Sequence, residues 1–294
     1  MYMKQSTGDR LFGIAVYMCV ALITLIVLYP LVYVLSASFS DPAAILRGDL
    51  WLFPIDPTIE SYKSVFQNED VWIGFRNTFL YTTLGTAFNL LLSIMVAYPL
   101  SRKDFYGRNV LTIFLVFTMF FSGGMVPTYL LVRDLGMLNT IWAVIVPGAV
   151  SVYNVVIIRT FFQNIPNELR ESAELDGCSN IQYLIKILLP LSKPVIAVMV
   201  LFYGVSQWNA FFDALIYLTD RNLFPLQLFL REMLIQDQLS EMVQVSDSTL
   251  DNHALTVEGL KYAVVVVASL PMLVLYPFLQ RFFVKGVMIG SIKG

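Results

Sequence analysis

Six stretches of this chain contain no Asp, Glu, Lys or Arg: 11–40, 77–101, 109–132, 135–158, 194–212 and 262–280. A helix needs about 20 apolar residues to cross the hydrocarbon core of a bilayer. A helix is also one of the few structures that satisfies every backbone N–H and C=O there without water. All six runs meet that length, the last two narrowly. They predict an all-α integral membrane protein forming a single transmembrane domain. Its six helices fall at about residues 12–37, 76–101, 109–132, 135–158, 194–218 and 262–281. Composition agrees, since only 14% of the 294 residues are charged, against roughly a quarter in soluble domains. The run 11–40 is too long for the apolar part of a signal peptide and has no small-residue cleavage site before it ends. A further apolar segment, 223–234, is interrupted by Pro225, Arg231 and Glu232 and reads as an amphipathic helix outside the membrane or at its surface.

Lys and Arg set the orientation, because cytoplasmic flanks collect them. One set of flanks is short and dense in cations. It holds Lys4 and Arg10, then Arg102, Lys103 and Arg108, then Arg159, Arg170, Lys186 and Lys193, then Arg281, Lys285 and Lys293. That set is predicted to be cytoplasmic, with both termini inside. The outer loops, roughly 41–74 and 219–260, are acidic. They offer room for an external partner, although most of their residues read as solvated connections. Cys19 and Cys178 lie in different environments and suggest no disulfide. His253 is the only histidine and has no partners spaced for a metal site or a catalytic triad. No basic run with interleaved aromatics points to nucleic acid.

The predicted cytoplasmic loop 159–193 is the most structured polar segment. Pro166 suits the first turn of a helix, and Glu168, Glu171 and Glu174 keep one side of it solvated. Asp176-Gly177 would end it, with Gly as a left-handed cap. Ser179 and Gln182 have the spacing of a capping box for a second helix. Pro190 and Pro194 would break that helix and turn the chain into the fifth span. The predicted product is a helix–turn–helix knob offering small and apolar residues, Ala173 and Ile181 among them, to something other than lipid.

The order Glu171-Ser172-Ala173, Gly177, Ile187, Leu189-Pro190 resembles the coupling-loop motif of ABC importer permeases, with Ser172 in place of the first Ala of the usual Glu-Ala-Ala triplet. Asp176-Gly177 and Lys193-Pro194 extend the likeness to the carbohydrate, maltose-type branch. So do Gly136-Met137-Leu138-Asn139-Thr140 and Trp208-Asn209-Ala210-Phe211. The segment from Phe224 to Leu228, with Leu230-Arg231-Glu232, resembles the subgroup serving complex or polymer-derived oligosaccharides. The resemblance implies a type I importer permease in a bacterial cytoplasmic membrane. Its knob would dock in a groove of a separate ATPase through Glu171, Ser172, Ala173, Asp176, Gly177, Ile187, Leu189 and Pro190. It further implies a second homologous permease, two ATPase subunits and an external solute-binding protein. The substrate would be a carbohydrate moved by alternating access. The chain would be non-catalytic and hold no cofactor, with ATP and Mg in the partner ATPases. In agreement, it contains no Gly-Lys dipeptide and hence no P-loop.

Ser206, Asn209 and Asp213 recur at i, i+3 and i+7 of the predicted fifth helix, with Trp208 and Phe212 beside them. Polar groups at membrane depth usually face a bundle interior or cavity, so Ser206, Trp208, Asn209 and Asp213 are candidates for the substrate path. Tyr81, Thr82, Thr86 and Asn89 on the second span are weaker ones, and Gly123, Gly124 and Pro127 can interrupt the third. Three rival readings are a permease for another solute, a membrane enzyme and a sensor. The sugar-type signatures weigh against the first, the scattered acids against the second, and the missing signalling domain against the third.

Overall fold

A computed structural model describes residues 7–242 and 259–277. The predicted cytoplasmic termini, His253, the end of the sixth span past residue 277 and outer-loop residues 243–258 lie outside the described residues. Among those described, every regular element is helical. The chain divides into two compact units, Met1–Glu69 with Leu230–Leu270, and Asp70–Phe229 with Pro271–Gly294.

In the first unit α1 (Thr7–Ser38) is apolar on every side and almost wholly exposed, as a helix facing lipid or another membrane subunit must be. The predicted outer loop after it is folded rather than merely solvated. Ser36 Oγ donates to Leu52 O at 2.6 Å, and Ser40 Oγ accepts from Ile55 N at 3.1 Å. Asp41 caps α2 (Pro42–Leu46), whose first residue is proline. Ala37, Ile45 and Leu50 bury together with Tyr33 and Tyr262 packed on them. α3 (Glu60–Gln67) follows. A Cβ on Gly259 would stand 2.6 Å from Ser61 Oγ and 2.8 Å from Pro42 Cγ, so the helix Gly259–Pro277 starts where only glycine fits.

The second unit is built on α4 (Glu69–Ser101), which buries a mixed face running from Val71 to Leu100. α5 (Arg108–Phe120) and α6 (Met125–Asp134) come from the run 109–132, which was expected to be one helix. They meet at 112°. Gly124, at φ 88 and ψ 169, is in a region essentially restricted to glycine. The run 135–158 is also broken. α7 (Ile141–Ile145) stops before Pro147-Gly148, and α8 (Val152–Gln163) starts from a Ser151 cap; proline removes the donor that would continue α7. By length and composition α1, α4 and Gly259–Pro277 can each cross a membrane, and two bent pairs raise the number to five among the described residues. Hydropathy counted six uninterrupted runs, but it does not register where the backbone turns.

The remaining elements are α9 (Asn167–Leu175), α10 (Asn180–Tyr183), a π-helical turn (Leu184–Leu188), α11 (Leu189–Leu191), α12 (Lys193–Trp208), α13 (Phe212–Tyr217), a 3-10 turn (Arg221–Leu223) and α14 (Leu226–Met242). Ile94, Ala97, Val155, Ile158, Phe162 and Met199 form one buried cluster of α4, α8 and α12, which Ala173, Tyr183 and Leu188 join. Ser93 and Tyr203 hydroxyls meet at 2.6 Å inside it, and Tyr203 Oη accepts from Ser151 N at 3.3 Å. α4 and α12 approach closely at glycines. A Cβ on Gly85 would lie 2.9 Å from Gln207 Cδ, and Gly204 faces Thr86.

Candidate coupling site

The knob forms from local chemistry. α9 ends in a Schellman arrangement: Cys178 N donates to Ala173 O at 2.9 Å and Gly177 N to Glu174 O at 3.0 Å. Gly177 takes φ 78, where a side chain is disfavoured, although no atom lies within 4 Å of its would-be Cβ. Asp176 is the C-cap. Ser179 and Gln182 make the reciprocal capping box at the start of α10. Ser192, between Pro190 and Pro194, marks an 83° bend into α12. Pro166 sits at the N-cap of α9, one position before the first turn.

One expectation needs correction. Ala173 was expected to face a partner, but it is 5% exposed and packed in this chain's own core. It is the foot of the knob rather than its tip. The apolar residues that point away are Leu175, Ile181 and Ile185, exposed by 89%, 69% and 58%. Ile187 and Leu189 lean on the core cluster, whereas Ser172 and Pro190 are exposed. Glu171 is exposed, and the contacts that fix the knob come from a neighbouring carboxylate. Arg170 Nε donates to Glu174 at 2.8 Å, and its two terminal nitrogens hold Asp104 bidentately at 2.9 and 3.0 Å. Arg102 grips Asp104 from the other side at 2.6 Å and also bonds Asn180 Oδ1 at the start of α10. The α4–α5 turn therefore clasps both helices of the knob. The Arg102 and Arg170 hydrogen bonds hold the Asp104 carboxyl well below the usual carboxylate range, and Asp104 raises both guanidiniums. Arg170 and Glu174 were visible in sequence as an i, i+4 pair. Asp104, 66 positions from Arg170, gave no sequence signal.

The fifth-span candidates do not share one helix face. α12 ends at Trp208, Asn209 is its cap, and Asp213 lies on α13 beyond the break. Asn209 Nδ2 donates back to Val205 O at 2.8 Å. Trp208 is 4% exposed, edge-on to Phe75 at 6.3 Å, and is a packing residue here rather than an open platform. Ser206 is exposed, and Asp213 is half-buried. On α4, Thr82 and Thr86 hydroxyls and Asn89 Oδ1 are buried without a hydrogen-bond partner.

At the predicted outer end, Asn139 adopts φ 58 and its Oδ1 accepts from Thr219 N and Asp220 N at 3.0 and 2.9 Å. Asn77, Thr78 and Tyr81 of α4 bind the backbone of residues 222–226. Those bonds tie two of the sequence signatures, Gly136–Thr140 and Phe224–Leu228, into one knot.

Residues 89–289 match the family described as "Binding-protein-dependent transport system inner membrane component". Protein LplC of Bacillus subtilis is 41% identical over 99% of this chain and 98% of its own length. The polygalacturonan/rhamnogalacturonan transport system permease protein YtcP of Bacillus subtilis is 39% identical over 97% of this chain and 99% of its own length. Among solved structures, one described as a bacterial ABC transporter involved in the import of the acidic polysaccharide alginate superposes with a TM-score of 0.87. It shares 30% identity and covers 96% of this chain and 100% of that one.

Proposed function

We infer, from the premise that this chain belongs to the family of binding-protein-dependent transport system inner membrane components, that it is the permease subunit of an ABC importer for an oligosaccharide. The observation that carries the mechanism is the knob. It is a short helix pair capped on both sides of its turn, rooted through Ala173 in the buried cluster of α4, α8 and α12 and presenting Leu175, Ile181 and Ile185 outward. A rigid root with an apolar tip lets a docked subunit tilt α4, α8 and α12 together. ATP binding and hydrolysis in that subunit would shift the inward- and outward-open populations.

We further propose two ATPase subunits carrying ATP and Mg, a second homologous permease and an external solute-binding protein that delivers the sugar. Both termini would be cytoplasmic, and the chain itself non-catalytic. The names of YtcP and the alginate transporter favour a uronate-bearing oligosaccharide. Ser206, Asn209 and Asp213 remain the path candidates, and the buried polar face of Thr82, Thr86 and Asn89 supports a second wall beside them. The test is ATPase activity of the reconstituted complex with its binding protein, challenged with uronate and neutral oligosaccharides. Stimulation confined to an oligosaccharide class supports the reading. Stimulation by peptides or polyamines, and by no sugar, overturns it.

A further inference from the structure

Behind the clasp lies a cavity of about 430 Å³, between the end of α4, the start of α5, the end of α8 and the root of α9. Four cations line it, Lys103, Arg108, Arg159 and Arg170, and no carboxylate does. Arg170 is neutralised by Asp104 and Glu174. The other three are not. Arg159 Nε donates to Leu100 O at 3.0 Å. Arg108 reaches Arg102 O and Asn109 Oδ1, each at 3.4 Å. All of these acceptors are neutral, and among the described residues no ion pair includes Lys103, Arg108 or Arg159. Burial, and then the neighbouring Arg108, push the Arg159 guanidinium below its ordinary value. Cations gathered around a cavity without a counter-charge repel one another, and the fold keeps them there.

We propose that this cavity binds a phosphate ester, and that its occupant is the head group of an anionic phospholipid. Guanidinium forks match phosphate oxygens in pairs, and two of them converge here. The cavity sits at the cation-rich ends of the predicted spans, the membrane face where basic pockets between helices take anionic head groups. Its floor is carbon, from Phe162 and Leu188. The helix that begins at Arg108 continues as exposed apolar surface, with Ile113 and Phe114 exposed by 69% and 65%. Acyl chains can lie along that surface, whereas a soluble phosphate has no use for it.

The test uses the assembled transporter in nanodiscs of mixed phosphatidylglycerol and phosphatidylcholine. Lipid retained after detergent washing is measured by mass spectrometry, for the parent and for Arg108→Gln/Arg159→Gln. The parent should retain phosphatidylglycerol preferentially, and the variant should lose that preference by about fivefold per cation removed. If the double variant does not assemble, Lys103→Gln on the exposed rim carries the same comparison with about a fivefold loss. In a second arm, inorganic phosphate and glycerol phosphate are titrated into discs of phosphatidylcholine alone. Saturable binding there, without lipid preference in the first arm, makes the occupant a soluble phosphate and overturns the lipid assignment. Equal retention by parent and variant, or no preference in either together with no saturable phosphate binding, overturns the site.

Discussion

Ala173 and Gly177 stand four positions apart in one motif, yet they constrain the chain in different ways. Gly177 is needed for its backbone, because φ is 78 and no atom crowds the position. Gly177→Ala should therefore add only about 1 kcal/mol of strain and weaken ATPase capture about fivefold. Gly177→Pro also loses the bond to Glu174 O and should abolish capture; equal effects from both would argue against a backbone role. Ala173 is needed for its size in the core. Ala173→Asp should lower the yield of folded permease, because it buries an unpaired charge. Leu175→Asp and Ile181→Asp should leave that yield unchanged and cut ATPase pull-down by about tenfold. The reverse pattern would sink the assignment of tip and foot. Trp208 and Asp213 separate in the same way. Trp208→Ala removes a buried ring and should cost about 3–5 kcal/mol of permease stability. Asp213→Ala should reduce uptake while assembly and basal ATPase activity persist; parental uptake would remove Asp213 from the path.

Among the elements, the clasp between the α4–α5 turn and the knob is the joint most open to test. Asp104 links Arg102 to Arg170, so Asp104→Asn should loosen both ends and lower the ATPase stimulation that follows substrate delivery. The sign of its pH dependence is set by the depressed Asp104 pKa. A depressed carboxyl contributes stability that is complete above its unfolded value, about 3.9, and is lost as pH falls through the lower folded value. ATPase pull-down should thus hold steady from about pH 8 to about pH 5 in the parent, and Asp104→Asn should weaken it throughout that range. A parental loss centred near pH 6 would point to another group. Asp104 is largely exposed, and solvent screening keeps the effect modest.

For the whole molecule, the decisive measurement is sidedness. Cys178 lies at the turn of the knob, half-buried with its thiol free. With Cys19 replaced by Ser, a membrane-impermeant thiol reagent should label Cys178 in inverted vesicles and leave it unlabelled in intact cells. Labelling from outside would invert the topology and detach the knob from any cytoplasmic ATPase. The apolar surface of α1 and of α5 requires the same setting, since neither helix could stand in water without lipid or a partner subunit over it.

The sequence by itself determined whatever depends on desolvation or on residues a few positions apart. A charge in hydrocarbon is costly, so charge-free runs carried the expectation of membrane-embedded segments without any structure, and three of the described helices are long and apolar enough to cross a bilayer. The caps at Gly177 and at Ser179–Gln182 were legible because the φ of a glycine and a side chain three residues away are local matters. The tertiary structure alone decided what depends on where the backbone turns and what it meets. Breaks at residues 121–124, 146–151 and 209–211 leave hydropathy unchanged while they redirect helices. They placed Asp213 on a different helix from Ser206. Burial of Ala173 and Trp208, and the reach of Asp104 to Arg170 across 66 positions, follow from the packing of α4, α8, α9 and α12. No window along the chain contains that packing, because the energy of a contact resides in both partners at once.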